Sequence, residues 1–185
     1  MLYNNFVIFL TSHDESGSSL NKGNFIEILK YKAEGNNELA SVILDNAPQN
    51  AKYVAPTIQK EILHILANKV RNIIYNEIGR GTFCILVDES QDEFTSEQMA
   101  FVLRYVNHDG FLSKRFFDIV GVENTLASTL KKEICEILAW YNLSIQNLRG
   151  QGCDGASNMR GEWNGLQVLF LKDCPYAYYV HCFAH

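Results

Sequence analysis

A change of hydrophobic period at Thr82 restricts this chain's fold more than any other feature. Before that point apolar residues recur at three- and four-residue intervals. After it, Phe83-Cys84-Ile85-Leu86-Val87 runs without a polar break and ends in Asp88-Glu89-Ser90. A continuous apolar run of this length reads as a strand buried on both faces, whereas the earlier spacing reads as helix. The chain therefore has to join a helical region to a sheet.

The helical region resolves into three segments. Residues 24–33 carry Phe25, Ile28 and Leu29 on one face. Residues 38–47 follow, with Leu39, Val42 and Ile43 inward, and Pro48 ends them because proline disfavours helix in the residue before it. Pro56 and Thr57 open a long helix whose expected inward stripe is Ile58, Ile62, Ile65/Leu66, Ile73/Ile74 and Ile78, stopped by Gly79 and Gly81.

Beyond Val87 the pattern predicts strands at residues 99–106 and 115–122. An amphipathic helix follows, built on Leu126, Leu130, Ile134, Ile137/Leu138 and Tyr141. A short strand at 145–149 leads into the glycine run Gly150-Gln151-Gly152-Cys153-Asp154-Gly155, then a helix at 160–172 and a last strand at 177–182. The order is β-β-β-α-β-α-β: an antiparallel meander continued by crossovers to parallel strands. The fold class is α+β, with a helical region over 1–80 and a mixed sheet over 81–185. The ribonuclease-H-like fold has this order and adds one more helix after its fifth strand, which this sequence lacks.

Composition narrows the partners. The formal charge of −5 argues against DNA binding by the whole surface, since phosphate neutralisation needs clustered Lys and Arg. Any nucleic-acid contact has to be local or supplied by another segment. Five cysteines form no CxxC pair and leave an odd count, the pattern of reduced thiols inside a cell. No apolar run approaches the roughly 18 residues of a membrane span. Phe6–Leu10 has neither the basic flank nor the cleavage-type ending of a signal peptide.

Asp88 and Asp154 are the candidate site residues. Each alone has a plain structural explanation: a strand-end Asp accepting backbone hydrogen bonds, and an ordinary Asp-Gly turn. Topology raises both, because the first and fourth strands of a ribonuclease-H-like sheet are neighbours. Two carboxylates meeting there call for a cation such as Mg²⁺. The stretch Gly150-x-Gly152-x-x-Gly155 also matches the dinucleotide fingerprint, but Asp154 would put a negative charge where a pyrophosphate belongs. Cys182-x-x-His185 is half a zinc site with no second pair nearby in sequence. His181 reads as a buried or edge histidine, and Trp163, Tyr176, Tyr178 and Tyr179 read as core rather than base-stacking residues. Glu89, Asp92 and Glu93 read as a solvated acidic turn.

Taken as words, several segments resemble hAT-type transposase-derived proteins, in particular the zinc finger MYM-type protein 1-like group. The segments are Leu148-Arg149-Gly150-Gln151-Gly152-Cys153-Asp154-Gly155-Ala156-Ser157-Asn158-Met159 and Tyr178-Tyr179-Val180-His181-Cys182-Phe183-Ala184-His185. Asn21–Phe25, Asn46–Pro48, Ile85–Ser90 and Gln98–Val106 are similar to that group too, so the resemblance runs from about His13 to the end. It implies a metal-dependent DNA transposase core in the nucleus, with Asp88 and Asp154 as the first two catalytic acids holding Mg²⁺ or Mn²⁺. It also implies that Cys182 and His185 lie near the active site. The family's third acid, a Glu on the last helix, has no counterpart here. Its zinc-finger DNA-binding module and its dimerisation region are absent too. The expectation is therefore a fragment of a transposase catalytic domain, inactive as this chain and with an apolar sheet face left uncovered. The rival readings are a domesticated non-catalytic module that binds protein or nucleic acid, and a nucleotide-binding domain using the Gly150–Gly155 loop.

Overall fold

The computed structural model describes residues 23–91 and 96–182. Phe6–Leu10, Asp92, Glu93 and His185 lie outside the described residues. The chain divides into two compact units, Met1–Val70 and Arg71–His185.

In the first unit, α1 (Asn24–Glu34) buries Ile26, while Ile28 is exposed. The expected helix at 38–47 is shorter. It forms α2 (Asn37–Ala40), where the Asn36 side chain accepts from the Leu39 amide at 3.0 Å, and then a 3-10 turn at Leu44–Asn46. Asn46 donates to the Ala40 carbonyl at 2.8 Å and closes that loop. Val42 is consequently exposed. The long helix α3 (Pro56–Ile78) buries Gln59 and Leu63 where the apolar spacing nominates Ile65 and Leu66, both of which are exposed. The Gln59 amide donates to the Val54 carbonyl at 2.7 Å, so a polar residue takes the inward position by capping the segment before the helix. No described helix is long and apolar enough to cross a membrane.

The last turns of α3 belong to the second unit, where Ile74 and Ile78 join the core. Five strands follow: β1 (Phe83–Gln91), β2 (Glu97–Val106), β3 (Leu112–Gly121), β4 (Leu148–Cys153) and β5 (Tyr178–His181). Their order in the sheet is β3-β2-β1-β4-β5. The β1–β2 and β2–β3 pairs are antiparallel, and the β1–β4 and β4–β5 pairs are parallel. This is the mixed sheet expected from the element order.

The core lies on one face of it. Phe83, Ile85 and Val87 of β1 and Met99, Phe101, Leu103 and Tyr105 of β2 are buried there. They meet Leu130, Ile134, Ile137 and Leu138 of α4 (Ala127–Trp140) and Leu166 and Phe170 of α6 (Leu166–Asp173). β1 is therefore not buried on both faces. Its residues alternate between buried and half-buried before turning exposed at Asp88, so the apolar run marks one covered face and one open face.

Two expectations near the glycine run fail for local reasons. The strand is not at 145–149 but at 148–153, preceded by a 3-10 turn at Ile145–Asn147. Gly150 and Gly152 therefore sit inside β4 rather than in a turn. The helix expected at 160–172 is also split, into α5 (Ser157–Arg160) and α6. Gly161 and Gly165 meet backbone to backbone at the break, where a Cβ on Gly165 would come within 2.3 Å of the Gly161 nitrogen. Neither position has room for a Cβ in this arrangement.

Candidate functional site

The site forms at the ends of β1 and β4. Their parallel register pairs Leu86 with Gly152. Asp88 lies two residues beyond that last pair on β1, and Asp154 directly follows the end of β4. Strand alternation turns Asp88 toward the open face and away from Val87, and its side chain is exposed. Asp154 follows β4 directly and is half-buried. Its Oδ1 accepts from the Ala156 amide at 3.1 Å, which opens the turn into α5.

Glu89 belongs to this site, and the sequence reading as a solvated acidic turn is wrong for it. It continues the buried side of β1 and is half-buried. Both its carboxylate oxygens accept from Asn158 Nδ2 at 3.1 Å, and the same amide donates to the Thr125 carbonyl at 2.8 Å. Burial pushes the Glu89 carboxyl above the usual range. The Asn158 bond opposes that rise, while the negative charges of Asp154, Glu97 and Asp88 add to it. Four carboxylates, Glu89, Asp154, Glu97 and Asp88, thus share one electrostatic neighbourhood at the end of β1. Nothing in the sequence marks Glu89 except its alternation with Val87, which puts it on the covered side.

β5 supplies the other wall. Tyr179 donates its hydroxyl to the Asp154 carbonyl at 3.1 Å and lies 3.4 Å from His181 Nδ1. The His181 ring lies against Gly155. His181 is exposed on an edge strand. The Cys182 amide donates to the Cys153 carbonyl at 2.9 Å, which brings Cys182 beside the Asp154 turn. Burial first, then the neighbouring acids and Cys182, pushes the Cys153 thiol up to about 12. Of the four aromatic residues expected in the core, only Tyr179 packs against it. Trp163 is 84% exposed, and Tyr176 and Tyr178 are exposed as well. The dinucleotide match fails on geometry, because two of its glycines lie in β4 and the following helix has four residues.

Asp88 and Asp154 offer hard oxygen donors in a negative field, which fits a cation that keeps most of its waters, as Mg²⁺ does. Among the described residues, no group of three or more His, Cys, Asp and Glu side chains is gathered to hold a metal ion. No described set of ligands suits a structural zinc.

Asn158 gives a direct check on this geometry. Burial raises the folded pKa of Glu89 above its unfolded value, so ionised Glu89 subtracts stability as pH rises from the unfolded through the folded value. The Asn158 bonds limit that subtraction. Asn158→Ala is expected to cost about 1.5–3 kcal/mol at neutral pH, where the accepting group is charged. The cost shrinks to about 0.5–1.5 kcal/mol once pH falls below the raised Glu89 pKa and the carboxyl is neutral. Urea unfolding at a series of pH values measures it, and a pH-independent cost would contradict the assignment.

The model of the domain family DUF4371, described as the ZMYM1/FAM200 RNase-like domain, matches residues 4–165 of this chain. That match takes in the sheet through β4, Asp88, Asp154 and Asn158. With the five-stranded mixed sheet and most of the chain matched, the chain belongs to the ZMYM1/FAM200 RNase-like domain family.

Proposed function

We propose that this domain is a hAT-transposase-type phosphoryl-transfer core acting on DNA in the nucleus, with Asp88 and Asp154 as the ligands of a divalent cation. The observation that carries the reading is the parallel β1–β4 pairing, because the strand that holds Asp88 and the strand that leads into Asp154 are neighbours in the sheet. A bound Mg²⁺ or Mn²⁺ would supply charge neutralisation and water activation for attack on a phosphodiester. The chain's own residues orient the ligands. The Ala156 amide fixes the Asp154 carboxylate, the Tyr179 hydroxyl anchors the Asp154 backbone, and Asn158 holds Glu89 against the end of β1. Two carboxylates hold such a cation weakly, and phosphoryl transfer needs the attacking and leaving oxygens fixed together. A polypeptide of these 185 residues therefore binds the ion without turnover.

The experiment is Mn²⁺ titration of the full chain by calorimetry, beside Asp88→Ala and Asp154→Ala, with labelled nicked and hairpin duplexes as substrates. Each substitution is expected to weaken Mn²⁺ binding about tenfold or more, which corresponds to about 1.4 kcal/mol. No protein should cleave DNA. Unchanged binding in both variants would remove the proposed site. Cleavage by the parent that both variants lose would show that another residue completes a working centre.

A further inference from the structure

The two acids of the site stand on different halves of the sheet, and the pairing between those halves stops short of both. β1 and β4 pair as far as Leu86 and Gly152, and Asp88 and Asp154 lie past that pair. On one side, β1 stays paired with β2 through Asp88 and Glu89 as far as Gln91. On the other, Cys153 pairs with His181 of β5, and the Tyr179 hydroxyl holds the Asp154 carbonyl. The meander therefore carries Asp88, and the β4–β5 pair carries Asp154. The separation of the two carboxylates depends on ties made beyond Leu86 and Gly152.

Asn158 makes such a tie. Its helix, α5, grows directly out of the Asp154 turn. The Ala156 amide donates to Asp154 Oδ1, and the Ala156 carbonyl accepts from the Met159 and Arg160 amides at 3.0 and 2.8 Å. Asp154 and Asn158 thus belong to one small hydrogen-bonded piece. From it, Asn158 Nδ2 reaches both oxygens of Glu89, the residue after Asp88, and also the Thr125 carbonyl just before α4. A primary amide has two N–H donors, so one serves Thr125 while the two Glu89 oxygens share the other. A side chain with a single donor cannot serve both partners. Strand parity separates the roles of the two neighbours on β1. Glu89 continues the covered side and grips Asn158, while Asp88 is exposed on the other side.

We propose that Asn158 is a positioning residue for the cation site: through Glu89 it sets the separation of Asp88 and Asp154, and Glu89 is its anchor, not a third ligand. The proposal rests on the cation reading given above. The two roles for Glu89 predict opposite signs. If Glu89 is the anchor, Asn158→Leu lets the acids separate and weakens Mn²⁺ binding. If Glu89 is a ligand, the same change frees both its oxygens and strengthens binding. Calorimetric titration of the full chain, with folding checked by circular dichroism at the same temperature, is expected to show binding weaker by about fivefold or more in Asn158→Leu, a fraction of the worth of a hydrogen bond to a charged group. Asn158→Ser keeps one donor and should show a smaller loss, and it serves if the Leu variant does not fold. Glu89→Gln and Glu89→Leu remove the same charge, but only Gln still accepts from Asn158, so Gln should bind Mn²⁺ more tightly than Leu. Adding Asn158→Leu to Glu89→Leu should cost little more, since the bond is already gone. A role in stability alone would leave the affinity of the folded chain unchanged. Stronger binding by Asn158→Leu overturns the proposal and makes Glu89 a ligand. Equal binding by Glu89→Gln and Glu89→Leu overturns it as well. Parent-like binding in both Asn158 variants, where Asp88→Ala loses it, overturns the positioning role and leaves the cation site standing. A parent chain that binds no Mn²⁺ removes the cation site, and the positioning role with it.

Discussion

Replacing Arg71 with Met is expected to destabilise the Arg71–His185 unit by about 3–5 kcal/mol, the usual cost of breaking a buried ion pair from one side. The Arg71 side chain is 7% exposed. Its Nε donates to the Phe117 carbonyl at 2.9 Å and its Nη2 to Asp118 Oδ1 at 2.6 Å. The guanidinium also lies 5.7 Å from the centre of the Tyr141 ring. One side chain thus ties the end of α3 to β3 and to the residue that closes α4. Met fills similar volume, so the loss isolates the charge and its hydrogen bonds from the packing. Both tryptophans, Trp140 and Trp163, lie in this unit, so their fluorescence in urea follows it alone. A loss below about 1 kcal/mol would show that Asp118 is hydrated well enough to need no partner.

The second large effect is expected from Phe117→Ala. Phe117 is 2% exposed and meets Phe101 edge-on at 6.2 Å and Tyr141 edge-on at 4.9 Å. Removing a buried ring of this kind typically costs about 3–5 kcal/mol, from lost transfer energy and the cavity left behind. That is a large part of an ordinary domain's stability of about 5–15 kcal/mol. Tyr141 touches both Phe117 and Arg71, so the double variant should lose less than the sum of the two single losses. Strict additivity would mean that the ring under Arg71 does not move when Phe117 is removed.

Much of this was legible in the sequence wherever one physical rule governed a segment. The run Phe83–Val87 gave β1, and the spacing of Leu130, Ile134, Ile137 and Leu138 gave the buried face of α4. The β-β-β-α-β-α-β order led to β1 and β4 as strand neighbours. Reading failed where a tertiary contact outweighed the local signal. Glycines that normally mark turns lie in a strand at 150 and 152, because their neighbours' side chains need the space. The expected helix is interrupted between Arg160 and Leu166, where Gly161 and Gly165 leave no room for a Cβ, and no apolar spacing reveals this. Trp163 has the size of a core residue but sits on that break and is exposed. Glu89 looks like one acid among several, yet strand parity turns it inward to Asn158, nearly seventy positions further along the chain (|i−j| = 69).

The β1–β4 pairing has a consequence for the order in which the domain assembles. β1, β2 and β3 join through short connections and form a meander from local contacts. The parallel partner of β1 comes only after β3 and all of α4, so joining it closes a loop on the order of 60 residues. That closure costs about 3–4 kcal/mol in chain entropy plus a constant before any contact offsets it. Long-range parallel pairing of this kind is slow relative to local hairpins. Asp88 is therefore in place on a formed strand well before Asp154 arrives beside it, and the carboxylate site comes into existence only in the last stage of folding. In stopped-flow refolding, probes on β2 and β3 should reach native signal ahead of any probe that reports the Asn158–Glu89 contact.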